Sequence, residues 1–216
     1  MTLLRSMKFR CLLVLMTLLA GNLANAQMDK YLAGVHYQLV PPAPALQDLQ
    51  RSADKPAVTE VFWYGCPHCY AFDPLLDAWV TKQGDAINFS RIPLSGSAAY
   101  NQHARIFYTA QALGLGEKMH KAIFDSIHQR HNMLSDEASV QKLFADYGVT
   151  TEKLAETWKS FSVETALHRN DTVIVALKIP SVPAMVVNGK YLVSVESAVP
   201  SHEAMLEVVE FLLHKK

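Results

Sequence analysis

Val58-Thr59-Glu60-Val61-Phe62-Trp63-Tyr64 runs straight into Gly65-Cys66-Pro67-His68-Cys69, and this junction decides how the rest of the chain is read. The first seven residues are rich in β-branched and aromatic side chains and apolar on both alternating sets of positions except at Glu60, which predicts a central strand covered on both faces. A helix is predicted to open at Pro67, because proline suits a first helical position where a missing N–H costs nothing. Tyr70, Phe72, Leu75, Leu76, Trp79 and Val80 form its apolar side, and Pro74 is expected to kink it. Two thiols two residues apart at a strand-to-helix junction read as redox chemistry.

Working downstream, Ala86 to Pro93 predicts a second strand, ended by Pro93 and by the turn-prone Ser95-Gly96-Ser97. From Asn101 to about Leu177 the apolar residues recur at helical spacing, enough for four or five helices. Gly114, Gly116 and Gly148 are read as helix ends, and Ser135 and Thr150 as N-caps. Strand character returns at Ala184-Met185-Val186-Val187 and Lys190 to Val195. Asn188-Gly189 between them is the sequence signature of a two-residue hairpin. A last amphipathic helix is predicted from Ser201 to His214. Upstream lie a short apolar and aromatic segment from Tyr31 to Val40, the linker Pro41-Pro42-Ala43-Pro44 and a polar stretch to Lys55-Pro56. The order strand, helix, strand, helical block, hairpin, helix predicts an α/β thioredoxin fold with an inserted all-helical domain. Residues 27–97 and 171–216 are then the two parts of the thioredoxin-like domain, and residues 98–170 the insertion.

Residues 1–26 have the three parts of a secretory signal. Arg5, Lys8 and Arg10 come first with no acid among them, then an apolar run from Cys11 to about Ala20, then Ala24-Asn25-Ala26. An apolar run of about ten residues is well short of the roughly 20 that span a bilayer, so cleavage after Ala26 is expected rather than anchoring. Removing this segment leaves 190 residues and takes away three bases, so the net charge moves from 0 to about −3. The absence of any Lys/Arg run argues against nucleic acid as the partner. Cys11 departs with the signal, leaving Cys66 and Cys69 as the only cysteines, in a compartment where disulfides persist. A chain of this length buries enough core to fold without disulfide staples.

Thiol–disulfide exchange needs one exposed sulfur of low pKa and a second close enough to resolve a mixed disulfide. Cys66 is placed at the N-cap, where unpaired backbone N–H groups and the helix dipole favour its thiolate. Cys69, one turn inward, is the resolving thiol. His68 is expected to stabilise the anion further through its imidazole. Only the part of the depression below pH 7 counts for redox poise: a pKa near 4 would stabilise the reduced form by roughly 4 kcal/mol, or about 90 mV for a two-electron couple.

Three further positions stand out. Val182-Pro183 precedes a strand that proline cannot enter as a central ladder residue; it reads either as a strand-initiating proline or, given the cysteine motif, as a cis-proline facing the cysteines. Glu60 is out of place in a buried strand. Either it relays a proton beneath Cys69 or it belongs to a structural ion pair, with Arg91 on the next strand as candidate partner. Zinc at Cys66 and Cys69 would need two more ligands. His128 and His131, three apart, with His120 two turns earlier, are read as solvated histidines on a helix face, and no metal is assigned.

Taken together, Glu60 to Tyr70 and Val182 to Tyr191 resemble the DsbA family of periplasmic disulfide oxidoreductases, and the resemblance extends over nearly all of the chain after the signal. Very low thiol pKa values and strongly oxidising couples are the known property of that family, so the 90 mV figure above leans on the same likeness. The resemblance implies a monomeric, cofactor-free periplasmic enzyme that donates its Cys66–Cys69 disulfide to reduced, unfolded exported proteins. It also implies reoxidation by a DsbB-like, quinone-linked membrane oxidase. In its terms Cys66 is the attacked sulfur, Cys69 the resolving one, Pro67, His68 and Glu60 the thiolate-tuning residues, and Val182 and Pro183 the substrate-binding loop. Val before Pro183 matches the oxidases of the family. A disulfide isomerase or reductase, and a non-enzymatic binder of unfolded chains, are the competing readings.

Overall fold

The computed structural model describes residues 29–50 and 54–215. The expected signal peptide lies outside the described residues. From Tyr31 onward the chain forms one compact unit built on a five-stranded sheet: β1 (Gln38–Leu39), β2 (Ala57–Phe62), β3 (Asn88–Pro93), β4 (Ala184–Val187) and β5 (Tyr191–Ser194). The spatial order is β1-β5-β4-β2-β3, with β2 and β3 parallel and every other pair antiparallel. Helix α1 (Pro67–Gln83) connects β2 to β3. Five helices separate β3 from β4: α2 (Ala98–Ala112), α3 (Gly116–His128), α4 (Glu137–Ala145), α5 (Thr151–Trp158) and α6 (Phe161–Leu177). Helix α7 (His202–Leu213) closes the chain.

All six residues of β2 are buried, and the period of two sorts them between two cores. Val58 joins Phe72 and Leu76 of α1, Met185, Val187 and Val193 of the hairpin, and Met205, Val209 and Leu212 of α7. Val61 points the other way, into Ile92, Ala184, Val186 and Leu192, with Val173 and Leu177 from the end of α6. Phe62 and Tyr64 extend into a third core made by the helical block, among Ile106, Met119, Ile123, Phe124 and Phe144. The 170/171 boundary expected from the sequence falls inside α6, whose last two turns cover the sheet.

Several local expectations shift by a residue or more. The strand expected to reach Tyr64 stops at Phe62, because Trp63 turns its carbonyl to the Cys66 N–H at 2.9 Å and so leaves the ladder. Gly65 is required there: a Cβ would lie 2.3 Å from the Trp63 indole. Helix α4 is capped by Asp136, which accepts from Ser139 N–H, and not by Ser135. Thr150 caps α5 through Lys153 N–H. Gly116 opens α3 instead of ending a helix. At Asn188-Gly189 both residues have positive φ, but pairing resumes at Val187–Tyr191, so Lys190 joins the connection and gives its carbonyl to Val40 N–H of the edge segment. The Asn188 side chain accepts from Ala57 N–H at 2.9 Å, tying the hairpin to the start of β2. The stretch after the proline linker, read as polar, contains a 3-10 helix (Pro44–Leu49) that buries Leu46 and Leu49. Pro74 sits on the exposed side of an α1 that continues through it.

Candidate active site

The turn after β2 places Cys66 at the N-cap of α1, with extended backbone (φ −86°, ψ 119°). Cys69, one turn in, is fully buried, whereas Cys66 retains 8% exposure. Both thiols are free. In its protonated form Cys66 donates from Sγ to the Val182 carbonyl at 3.5 Å, and the Val182–Pro183 peptide is cis. The loop before β4 therefore stands directly over the outer sulfur.

The two thiols differ sharply in acidity. Cys66 is drawn down to about 6, first by the Cys69 thiol, which donates to the anion, then by the backbone N–H groups of Cys69 and His68, and last by the His68 charge, all against partial burial. Cys69 is pushed far above the ordinary thiol value by burial and by its neighbour's negative charge. His68 is exposed, so its imidazole is the smallest of the contributions to Cys66 and its backbone N–H matters more. A value of 6 lies one unit below neutrality, which corresponds to about 1.4 kcal/mol and ~30 mV. That is roughly a third of the ~90 mV expected from a pKa near 4.

Beneath the cysteines lies a charge network whose centre, Glu60, Arg91 and Asp73, is buried. Glu60, 1% exposed, accepts from Arg91 Nε at 3.0 Å across the parallel β2–β3 register. Asp73 of α1 is 3.5 Å from Arg91 Nη2, Asp77 is 2.5 Å from the same nitrogen, and Glu117 of α3 is 3.6 Å from Nη1. Burial lifts Glu60 to about 7; Arg91 opposes the rise, and the negative charge of Asp73 adds to it. The Glu60 charge is felt at Cys69, where it opposes ionisation. Glu60 is thus the ion-pair partner of Arg91, and it lies close enough to the inner thiol for its charge to be felt there.

Helix α3 grips the active-site turn from the side. His120, buried, has Nδ1 2.8 Å from the Tyr64 hydroxyl and Nε2 3.2 Å from Asp73. His128, two turns on, holds the Tyr64 carbonyl with Nε2 at 2.8 Å and stacks on Tyr70 at 4.7 Å and 7°. Tyr70 in turn donates to Asp125 at 2.9 Å. The expected solvated histidine face is therefore corrected. His120 is interior and His128 half-buried, because the turn supplies them with partners; His131 alone is exposed. Among the described residues, no group of three potential ligands converges on a metal position.

A family model, "DSBA-like thioredoxin domain", matches residues 57–205. The chain belongs to the DsbA family. It is 35% identical over 192 residues to the thiol:disulfide interchange protein DsbA of Pseudomonas aeruginosa, covering 88% of each chain. It is 36% identical over 173 residues to DsbA of Burkholderia cepacia, covering 80% of each. The crystal structure of P. aeruginosa DsbA superimposes with a TM-score of 0.77 at 32% identity, covering 87% of this chain and 95% of that one. The protein is accordingly a disulfide oxidoreductase with a thioredoxin-like α/β fold.

Within this DsbA fold, Glu60 with the cysteine motif, Arg91, and Val182 with Pro183 come together from three separate stretches of sequence. Asp73, Asp77, Glu117, His120 and His128 were not singled out as parts of a redox site. A signal for the two histidines was present: His120, Phe124 and His128 are spaced by four, and a buried aromatic between two histidines on one helix stripe points them inward with it.

Proposed function

We propose that this DsbA works in the oxidising direction, on proteins newly exported to the periplasm, after removal of its own signal peptide behind Ala26. In the oxidised enzyme a substrate thiolate attacks Cys66 Sγ. The Cys66–Cys69 bond breaks, and Cys69 departs with the electron pair and takes a proton from Glu60. A second substrate thiolate then attacks the substrate sulfur of the mixed disulfide and expels Cys66 as a thiolate. Two substrate thiols have become a disulfide, and two electrons rest on the enzyme. Reoxidation runs in reverse through a disulfide of a DsbB-like membrane oxidase, with Glu60 now taking the Cys69 proton. Among the described residues no helix is long and apolar enough to cross a membrane, in keeping with electrons being handed to a separate membrane protein.

The observation that carries this reading is the placement of two free thiols one turn apart, Cys66 at the N-cap of α1 against the Val182 carbonyl and Cys69 fully buried behind it, which tunes them in opposite directions. A stable Cys66 thiolate makes the reduced state comfortable and Cys66 a good leaving group, both of which favour giving the disulfide away. Pro67 starts the helix whose N–H groups hold the anion, and Val182 and Pro183 supply the backbone edge along which an extended substrate would lie. The test is oxidation of a reduced, unfolded protein by the wild type and by Cys66→Ser. The variant should lose all turnover; retained activity would favour the binding-module reading. The reduction potential separates oxidase from reductase. A value near the roughly −270 mV of thioredoxin would defeat the oxidase assignment.

A further inference from the structure

The guanidinium of Arg91 is shared unevenly. The strongest way for arginine to hold a carboxylate is side-on, with Nε and one Nη making parallel bonds to its two oxygens. Glu60 receives only Nε, at 3.0 Å. The adjacent arm, Nη2, is taken by Asp77 Oδ1 at 2.5 Å, with Asp73 Oδ1 further off at 3.5 Å. Nη1, on the far side of the fork, lies 3.6 Å from Glu117. Arg91 is 6% exposed and Glu60 1%, whereas the Asp77 side chain is 58% exposed. A surface carboxylate therefore holds the arm that a buried one would otherwise use.

We propose that Asp77 is a positioning residue for Glu60: by occupying Nη2 of Arg91 it denies Glu60 the second bond of the fork and leaves its carboxyl free to exchange a proton. The proposal rests on the reading of Glu60 as the proton carrier for Cys69. Other groups also face Glu60 and Arg91. Cys69, Asp73 and Asp77 come from α1, Glu117 and His120 from α3, and Tyr64 from the turn after β2. Of these, Asp77 combines exposure with a grip on the disputed nitrogen, so it can be removed without opening the core.

The experiment is an NMR titration of the Glu60 carboxyl carbon in reduced wild type, Asp77→Ala and Glu117→Gln. Both variants remove one exposed negative charge beside Arg91, but only Asp77→Ala frees the arm that completes the fork with Glu60. The expected result is a fall in Glu60 proton affinity of about tenfold in Asp77→Ala, with a change of less than about twofold in Glu117→Gln. Equal changes in the two variants, or none in Asp77→Ala, would overturn the proposal. The relay reading is tested separately by the pH profile of Cys69-dependent reoxidation by a small disulfide. A profile that stays put while the Glu60 titration moves refutes the relay and leaves the Asp77 assignment standing.

Discussion

Cys66 and Cys69 carry the same thiol one helical turn apart, yet the rim and the floor of the site treat it in opposite ways. At the rim, Cys66 is held as an anion first by the Cys69 thiol and then by the N–H groups at the start of α1, and falls to about 6. On the floor, Cys69 is enclosed by the third core and has a carboxylate below it, and its proton is held tightly. The rim acts through groups of the motif itself, the Cys69 thiol first and then the backbone N–H groups that any helix start provides. The floor depends on a set of side chains gathered from β2, β3, α1 and α3. The lesson is that a short motif can specify the nucleophile, whereas the acidity of its partner is a property of the tertiary structure.

The largest effect that separates the two should come from Arg91→Met. It leaves Glu60 and Asp73 buried without their shared cation, and breaking a buried charge set in this way costs about 3–5 kcal/mol. At the rim, the same change should leave the Cys66 pKa close to 6, since Arg91 is not among the groups that hold its thiolate. Urea unfolding of the reduced form measures the loss. The penalty should shrink as pH falls, because Glu60, raised by burial and now without its cation, then takes up a proton. A loss below about 1 kcal/mol at neutral pH would mean that the floor does not need its cation.

The rim makes a pH-dependent contribution whose sign is fixed by the depressed pKa of Cys66. The unfolded thiol ionises near its ordinary value of 9.0 and the folded one near 6. The stabilisation is complete above the unfolded value and is lost as pH falls through the folded one. Oxidised enzyme lacks the group altogether. The stability of reduced relative to oxidised protein should therefore decline between pH 9 and pH 6, with about 1.4 kcal/mol of this contribution left at pH 7. Paired denaturation curves of the two redox forms across that range check it. A difference that does not change with pH would show that Cys66 titrates as an ordinary thiol and would remove the distinction between rim and floor.

The difference between rim and floor also explains what could be read before any coordinates. The rim is local: strand, turn, Pro67 and the two cysteines are contiguous, so Cys66 lands on the N-cap as its spacing dictates. Arg91 was identifiable from strand order alone, as the cation on the strand next to an acid that had no business in a buried strand, and the parallel register sets the two side by side. The rest of the floor arrives from far along the chain. His120 and His128 stand 56 and 64 residues from Tyr64; their spacing by four with Phe124 turns them inward, but nothing local says that the active-site turn is what they hold. Asp73 is 5% exposed, and the groups that face it, Arg91 and His120, come from β3 and α3. Even the edge strand β1 is only two residues long and owes its existence to β5.

The smallest effect concerns the grip of α3 on the turn that joins rim to floor. A carbonyl can only accept, so His128 carries its hydrogen on Nε2 and donates it to Tyr64 at 2.8 Å. Its ring also lies flat on Tyr70 at 4.7 Å. His128→Phe keeps a ring of similar shape on Tyr70 and removes only the donor, which should cost about 1 kcal/mol. His128→Ala removes the stack as well and should cost about 1 kcal/mol more. Thermal unfolding of the three proteins separates the two contributions. If the phenylalanine variant is as stable as wild type, the hydrogen bond to the turn contributes nothing, and α3 holds the rim through ring packing alone.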